Sequence, residues 1–180
     1  MNRGLNMRRT ERNTLALFSA ALLVPLMIAS PVRATDVTLD IDTPGTLTIS
    51  VPTTLDLGTA VSPSTINVSM GLATVTDTRN TGTSWFVAVI ASALTNVDPP
   101  ANTIIPTYME YSSGVITPTG AGSATLVETD QSNLTGSVPV VTASAVTGIQ
   151  GATWTPTFTL NIPAGAFNGH YTGTLTQSVA

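Results

Sequence analysis

Residues 152–163 read ATWTPTFTLNIP, and their side chains alternate without a break. Trp154, Pro156, Phe158, Leu160 and Ile162 share one parity; Thr153, Thr155, Thr157, Thr159 and Asn161 share the other. A period of two places each set on its own face of a strand. The segment therefore has an apolar face for a core and a threonine face for solvent. Pro156 has no amide hydrogen to give a ladder, so it belongs at an edge, at a bulge or at a strand start. Nothing after residue 35 carries apolar residues at a helical spacing over a long run. Threonine, whose branched Cβ suits a pleated sheet, dominates the polar positions instead.

The same reading extends along the chain. Val37, Leu39 and Ile41 alternate up to Pro44-Gly45, and Leu47, Ile49 and Val51 resume the pattern, which predicts a hairpin. TTLDLGTAV (53–61) and TINVSMGLATVTDT (65–78) predict further strands. SWFVAVIAS (84–92) is apolar on both parities and predicts a strand buried on both faces. Residues 98–150 are less legible: VDPPAN is a loop, TGAGSATLVETD a loop and then a strand, GSVPVVTASAVTGIQG a strand, a covering loop or both. After Ile162, Gly165 and Asn168-Gly169 turn the chain, and Tyr171, Leu175 and Val179 begin and end a last alternating run. An Asn-Gly between two such runs predicts a hairpin, with the last strand antiparallel to residues 154–162. The expected fold is all-β: a single antiparallel β-sandwich, immunoglobulin-like, preceded by a signal-peptide helix.

The signal is read from the first 34 residues. Arg3, Arg8, Arg9 and Arg12 precede an apolar run over residues 15–29, and Val32 and Ala34 follow as small residues before a cleavage point. Fifteen residues interrupted by Pro25 are short for a membrane span. Cleavage after Ala34 is expected, leaving a sandwich domain over 35–180, no retained span, and a secreted or cell-wall-surface location. The remaining 146 residues carry one cation, Arg79, against nine carboxylates, a net charge of −8. Nucleic acid, whose binding needs clustered cations, is excluded as a partner. The absence of cysteine removes disulfides, thiolate metal sites and thiol nucleophiles.

Few residues offer chemistry. His170, the sole histidine, has no Gly-x-Ser-x-Gly elbow to accompany it and reads as an exposed strand-end imidazole. Asp36, Asp40 and Asp42 are oxygen ligands of the sort calcium takes, but their spacing is not that of a calcium loop, and a solvated strand edge explains them more simply. The threonine ladders lack the fixed short repeat of an ice-binding array. No catalytic residues, metal or cofactor are expected, and the chain is read as non-enzymatic. DTRNTGTSWFVAV (77–89) is the most distinctive stretch. Asp77 and Arg79 are expected to brace its turn, with Trp85 as a core anchor; the alternative places Asp77, Arg79 and Trp85 on a recognition surface.

That stretch resembles the WxL domain of Gram-positive cell-surface proteins, in which D-x-R-G-T-G-x-x-W-x-L-x-V precedes a strand. LDLGT (55–59) is similar to the family's opening, and ATWTPTFTLNIPAGAFNGHYTGTL (152–175) to its penultimate strand and turn. GHYTGTLTQSVA (169–180) is similar to its closing segment. The first Trp-x-Leu is here Trp85-Phe86-Val87; the second is degenerate, Gln177-Ser178-Val179. The resemblance spans residues 36–180. It implies an exported surface protein held non-covalently on peptidoglycan or on other cell-surface proteins, with Trp85, Arg79, Asp77 and Tyr171 as candidate binding residues. A structural subunit of a fimbrial or spore-coat-like assembly is the alternative, since such subunits also end in an alternating strand.

Overall fold

Alternating threonine and β-branched residues leave the backbone extended, and every strand in the structure is short and antiparallel to its neighbours. The computed structural model describes residues 45–98 and 101–180. The signal segment, the cleavage point and domain boundary after Ala34, residues 37–41 of the expected hairpin, and Asp36, Asp40 and Asp42 lie outside the described residues.

In chain order the strands are β1 (Leu47–Ser50), β2 (Ser64–Ser69), β3 (Ala73–Asp77), β4 (Trp85–Ala91) and β5 (Leu94–Asn96). Then come β6 (Thr103–Ile104), a one-turn 3-10 helix (Pro106–Tyr108), β7 (Met109–Ser112), β8 (Thr117–Gly120) and β9 (Ser123–Glu128). β10 (Val138–Thr147), β11 (Gln150–Trp154), β12 (Thr157–Ile162), β13 (Tyr171–Thr172) and β14 (Leu175–Val179) complete the set. There is no α-helix among the described residues, as the sequence pattern requires.

The ladders run β1-β3-β11-β8, β2-β12-β7, β14-β4-β10-β9 and β13-β5-β6. The first two form one layer. β11 and β12 are successive parts of the alternating 152–163 run, parted only by Thr155 and Pro156. Both pair with the line of β2 and β3 on one side and with the line of β7 and β8 on the other. Pro156 sits at this break, where its carbonyl accepts the Met70 amide at 2.8 Å. The other two ladders form the second layer in the same way, with β4 and β5 in line against β14 and β13. Here the interruption is Ser92-Ala93 against Gly173-Thr174, bridged by Ser92 N–H donating to the Thr174 carbonyl at 2.8 Å. The layers bury one core between them, with Trp154, Phe158, Met109 and Val75 from the first and Trp85, Val87, Val89 and Val141 from the second. The fold is an all-β sandwich.

Three expectations are corrected. The last strand does not pair with residues 154–162. β14 pairs with β4, Leu175 opposite Ala91 and Val179 opposite Val87, while β12 has β2 and β7 as neighbours. Residues 163–170 carry the chain across to the other layer, so the Asn168-Gly169 turn is a crossover and not a hairpin. β4 is not buried on both faces: Phe86 and Ile90 are 44% and 39% exposed on its outer side. Its outer face has neighbouring strands at its flanks but no third layer above it among the described residues. Residues 53–61 form no strand. Asp56 Oδ1 takes the Gly58 amide at 2.8 Å and Gly58 has φ +73°, a local turn that ends any extended run.

The two long sides of the sandwich are built differently. On one, Tyr111 of β7 exchanges two main-chain hydrogen bonds, 2.9 and 2.8 Å, with Gln131 in the connection from β9 to β10. Ser113 Oγ also reaches the Val140 carbonyl at 3.0 Å. On the other, beyond the end of β1, residues 51–61 run as an irregular strap. They make no main-chain to main-chain hydrogen bond among the described residues. Val51, Leu55 and Leu57 are half-buried and pack on the core from this strap.

Candidate functional site

The turn between β3 and β4 is assembled from one carboxylate. Asp77, at the end of β3, is 2% exposed. Its Oδ1 accepts the Arg79 amide at 3.0 Å and Arg79 Nε at 2.9 Å, and its Oδ2 accepts Arg79 Nη2 at 3.0 Å. Gln150 Nε2 adds a fourth donor at 3.3 Å. Arg79 Nη2 also reaches the Thr83 carbonyl at 3.3 Å, closing the loop on itself. The Arg79 side chain keeps 23% of its surface exposed. The two-point guanidinium contact holds the Asp77 carboxyl below the usual carboxylate range, against the burial that would raise it. Asn80 at φ +52° and Gly82 at φ +69° make the tight reversal inside that bracket. The expected brace of the turn is therefore present.

Trp85 follows and points inward, 2% exposed, so its ring faces packed side chains and not solvent. Its Nε1 and Gln150 Oε1 are buried without a hydrogen-bond partner among the described residues. Tyr171 lies elsewhere, in the ladder of β13 and β5. Its hydroxyl donates to Asn102 Oδ1 at 2.8 Å or to the Phe167 carbonyl at 3.0 Å, pinning the crossover. Of the four candidate residues the structure thus brings Asp77 and Arg79 together, sets Trp85 at the end of their turn, and places Tyr171 in a separate ladder. His170 is exposed, and its amide donates to Asp98 Oδ2 at 2.9 Å. No cluster of three metal-ligating side chains occurs among the described residues.

Two features were not anticipated from sequence. The first is a polar chain through the core. Trp154 Nε1 donates to the Tyr111 hydroxyl at 3.0 Å, and that hydroxyl donates to Gln177 Oε1 at 3.1 Å. Because the indole is donor only, the phenol accepts from it, and the phenol's single hydrogen is left for the Gln177 carboxamide oxygen. Burial raises the Tyr111 phenol to about 12, with the Trp154 bond pulling the other way. Gln177 thereby ties β14 of one layer to β7 of the other. The second feature is a half-open cavity of ≈ 370 Å³ beside the strap, where Met70, Met109, Phe158 and Gln177 meet Leu55 and Leu57. The only sequence signal for it is that Met70 and Met109 are the two methionines beyond residue 34.

The two segments that carry the Trp-x-Leu resemblance lie side by side. Gln177 is opposite Val89 and Val179 opposite Val87, and Ala180 and Phe86 exchange main-chain hydrogen bonds of 2.9 and 3.1 Å. Comparison with protein-family models, with curated proteins and with solved structures finds no match.

Proposed function

We propose that the chain is an exported, non-enzymatic surface module that associates non-covalently with cell-wall peptidoglycan or with a partner surface protein. The observation that carries this reading is the direct pairing of β4 with β14. The two segments on which the WxL resemblance rests are about ninety residues apart in sequence and form one two-stranded surface. The tryptophan position of the first segment and the glutamine of the second turn inward. Their outward residues, Phe86 and Ile90 on β4 with Thr176 and Ser178 on β14, are left to meet a partner. Exposed aromatic and branched side chains flanked by hydroxyls suit the apolar faces of sugar rings or a protein surface. The Asp77–Arg79 bracket then acts indirectly, by fixing where β4 begins.

Sedimentation with purified peptidoglycan tests the reading. The wild type is retained at low salt, and Phe86→Ser with Ile90→Ser releases it while melting cooperatively. No retention of the wild type removes the wall-binding half of the proposal, and a pull-down from surface-protein extract then tests the other half. The alternative, a subunit of a polymeric assembly, is favoured by one observation. Among the described residues, β2 and the line of β13 and β14 have unpaired outer edges flanking the irregular strap, where a strand from another chain could add. Polymer ladders on unheated gels would support it.

A further inference from the structure

The cavity beside the strap carries an inference beyond surface attachment. It lies between the layers at the level where the strands of both are interrupted, with Met70 on one wall and Ser92 and Gly173 on the other. Its ≈ 370 Å³ falls within the range of small-molecule sites, which runs from about 300 to 1,000 Å³. The inner walls are apolar: Met70, Met109, Phe158, Leu94 and Leu175, with Leu55 and Leu57 contributed by the strap. Two methionines flanking Phe158 on the first-layer wall, across from Leu94 and Leu175 of the second, give a lining that adapts to the shape of a chain-like guest.

One polar group stands in this lining below the rim hydroxyls. The Gln177 oxygen is engaged by Tyr111, whose one hydroxyl hydrogen it accepts while the phenol oxygen takes the Trp154 N–H. The Gln177 amide nitrogen, with two hydrogens to donate, has no hydrogen bond to any described residue. A carboxamide held in one orientation with its donors free selects a ligand that brings an acceptor oxygen. No charged residue lines the cavity, and residues 35–180 carry a net charge of −8, so a carboxylate or phosphate entering here would lose its hydration without finding a cation. A strap that makes no main-chain hydrogen bond to the described residues of the sandwich is the wall that opens at least cost.

We propose that this cavity binds a neutral amphiphile: an aliphatic chain seated between Met70, Met109 and Phe158 of the first layer and Leu94 and Leu175 of the second, with an uncharged acceptor oxygen, such as an ester carbonyl, on the Gln177 amide. The site is uncharged, adaptable and gated by the strap. A peptide strand on the neighbouring edges is a different occupant and would leave the methionine methyls unmoved.

The methionines supply the test. Of the five in the full chain, Met70 and Met109 alone remain in the exported protein, and labelling their methyl groups with carbon-13 gives two signals, assigned by Met70→Leu and Met109→Leu. Titration with monodecanoylglycerol below its aggregation limit is expected to shift the Met70 and Met109 signals saturably. Decanoate, the same chain with a charge, is expected to bind about tenfold weaker or worse, as is the ester to a folded Gln177→Leu variant, each loss being of the size of one hydrogen bond or more. The decanoate arm needs no variant and stands if Gln177→Leu does not fold. Absence of a saturable shift, a shift of only one of the two methyls, or decanoate binding as tightly as the ester would overturn the proposal.

Discussion

The two long sides of this sandwich solve one problem by different means. Each must close the gap between two layers whose outermost strands end in unpaired backbone. The Tyr111 side closes it with hydrogen bonds: the paired main chains of Tyr111 and Gln131, the Ser113 hydroxyl on Val140, and Gln131 Nε2 on the Pro139 carbonyl at 2.8 Å. The strap side closes it with side chains alone. Val51, Leu55 and Leu57 are pressed onto the core by a backbone that water solvates. Hydrogen bonds are directional and fix a register; apolar contacts are not directional and tolerate sliding. The difference teaches that a β-sandwich can be rigid along one flank and open along the other with no change in its strands.

The comparison breaks or sharpens in order of effect. Tyr111→Ala removes a fully buried ring and the middle of the Trp154–Gln177 chain, and should cost about 3–5 kcal/mol in denaturant melts. A loss as small as that from a strap residue would abolish the distinction between the flanks. Asp77→Asn acts at the end of the sandwich, away from either flank, and should cost about 2–3 kcal/mol through its charged hydrogen bonds. The folded-state pKa of Asp77 lies below its ordinary value of 3.8, so its stabilisation is full above that value. It disappears as pH falls through the lowered folded value. Acid melts of Asp77→Asn should therefore show a shallower stability decline there than the wild type.

Leu57→Ala on the strap should cost about 1–2 kcal/mol, the truncation of a half-buried side chain, and should speed amide exchange under the strap without changing it at Tyr111. Tyr111→Phe should cost about 1 kcal/mol at neutral pH. It should also remove an alkaline effect. The phenol's folded pKa is about 12 against an ordinary 10.0, so an unfolded chain releases that proton first and wild-type stability falls between those values. The variant should lose less over the same interval. Smallest of all, two glycines inserted between Thr53 and Thr54 should cost about 0.5 kcal/mol, since longer loops close at little extra entropy.

Much of the architecture was legible because it is local. The 152–163 alternation settled which residues face the core before any partner was known, and Trp154, Pro156, Phe158 and Leu160 are buried as that pattern requires. The Asp77–Arg79 bracket was legible too, since two residues of separation leave the side chains within reach. What failed was pairing. An alternating run presents the same two faces whichever strand it joins, so nothing in residues 171–179 distinguished β4 from β12. Nearness in sequence favoured the wrong one. The strap failed for a related reason: Leu55 and Leu57 alternate like a strand, and only the Asx turn at Asp56 breaks the run. Gln177 and Tyr111 meet across layers from 66 positions apart, which no periodicity records.

The strand interruptions have a mechanical corollary. Met70 to Leu72, Thr155-Pro156 and Ser113 to Ile116 break the first layer, and Ser92-Ala93 with Gly173-Thr174 break the second at the matching height. A plate scored on both faces flexes along the score. Ladder bonds resist curvature, and here only a few connectors such as Met70 to Pro156 and Ser92 to Thr174 cross the line. Thermal bending of this molecule should gather at that waist, leaving the upper and lower blocks stiff.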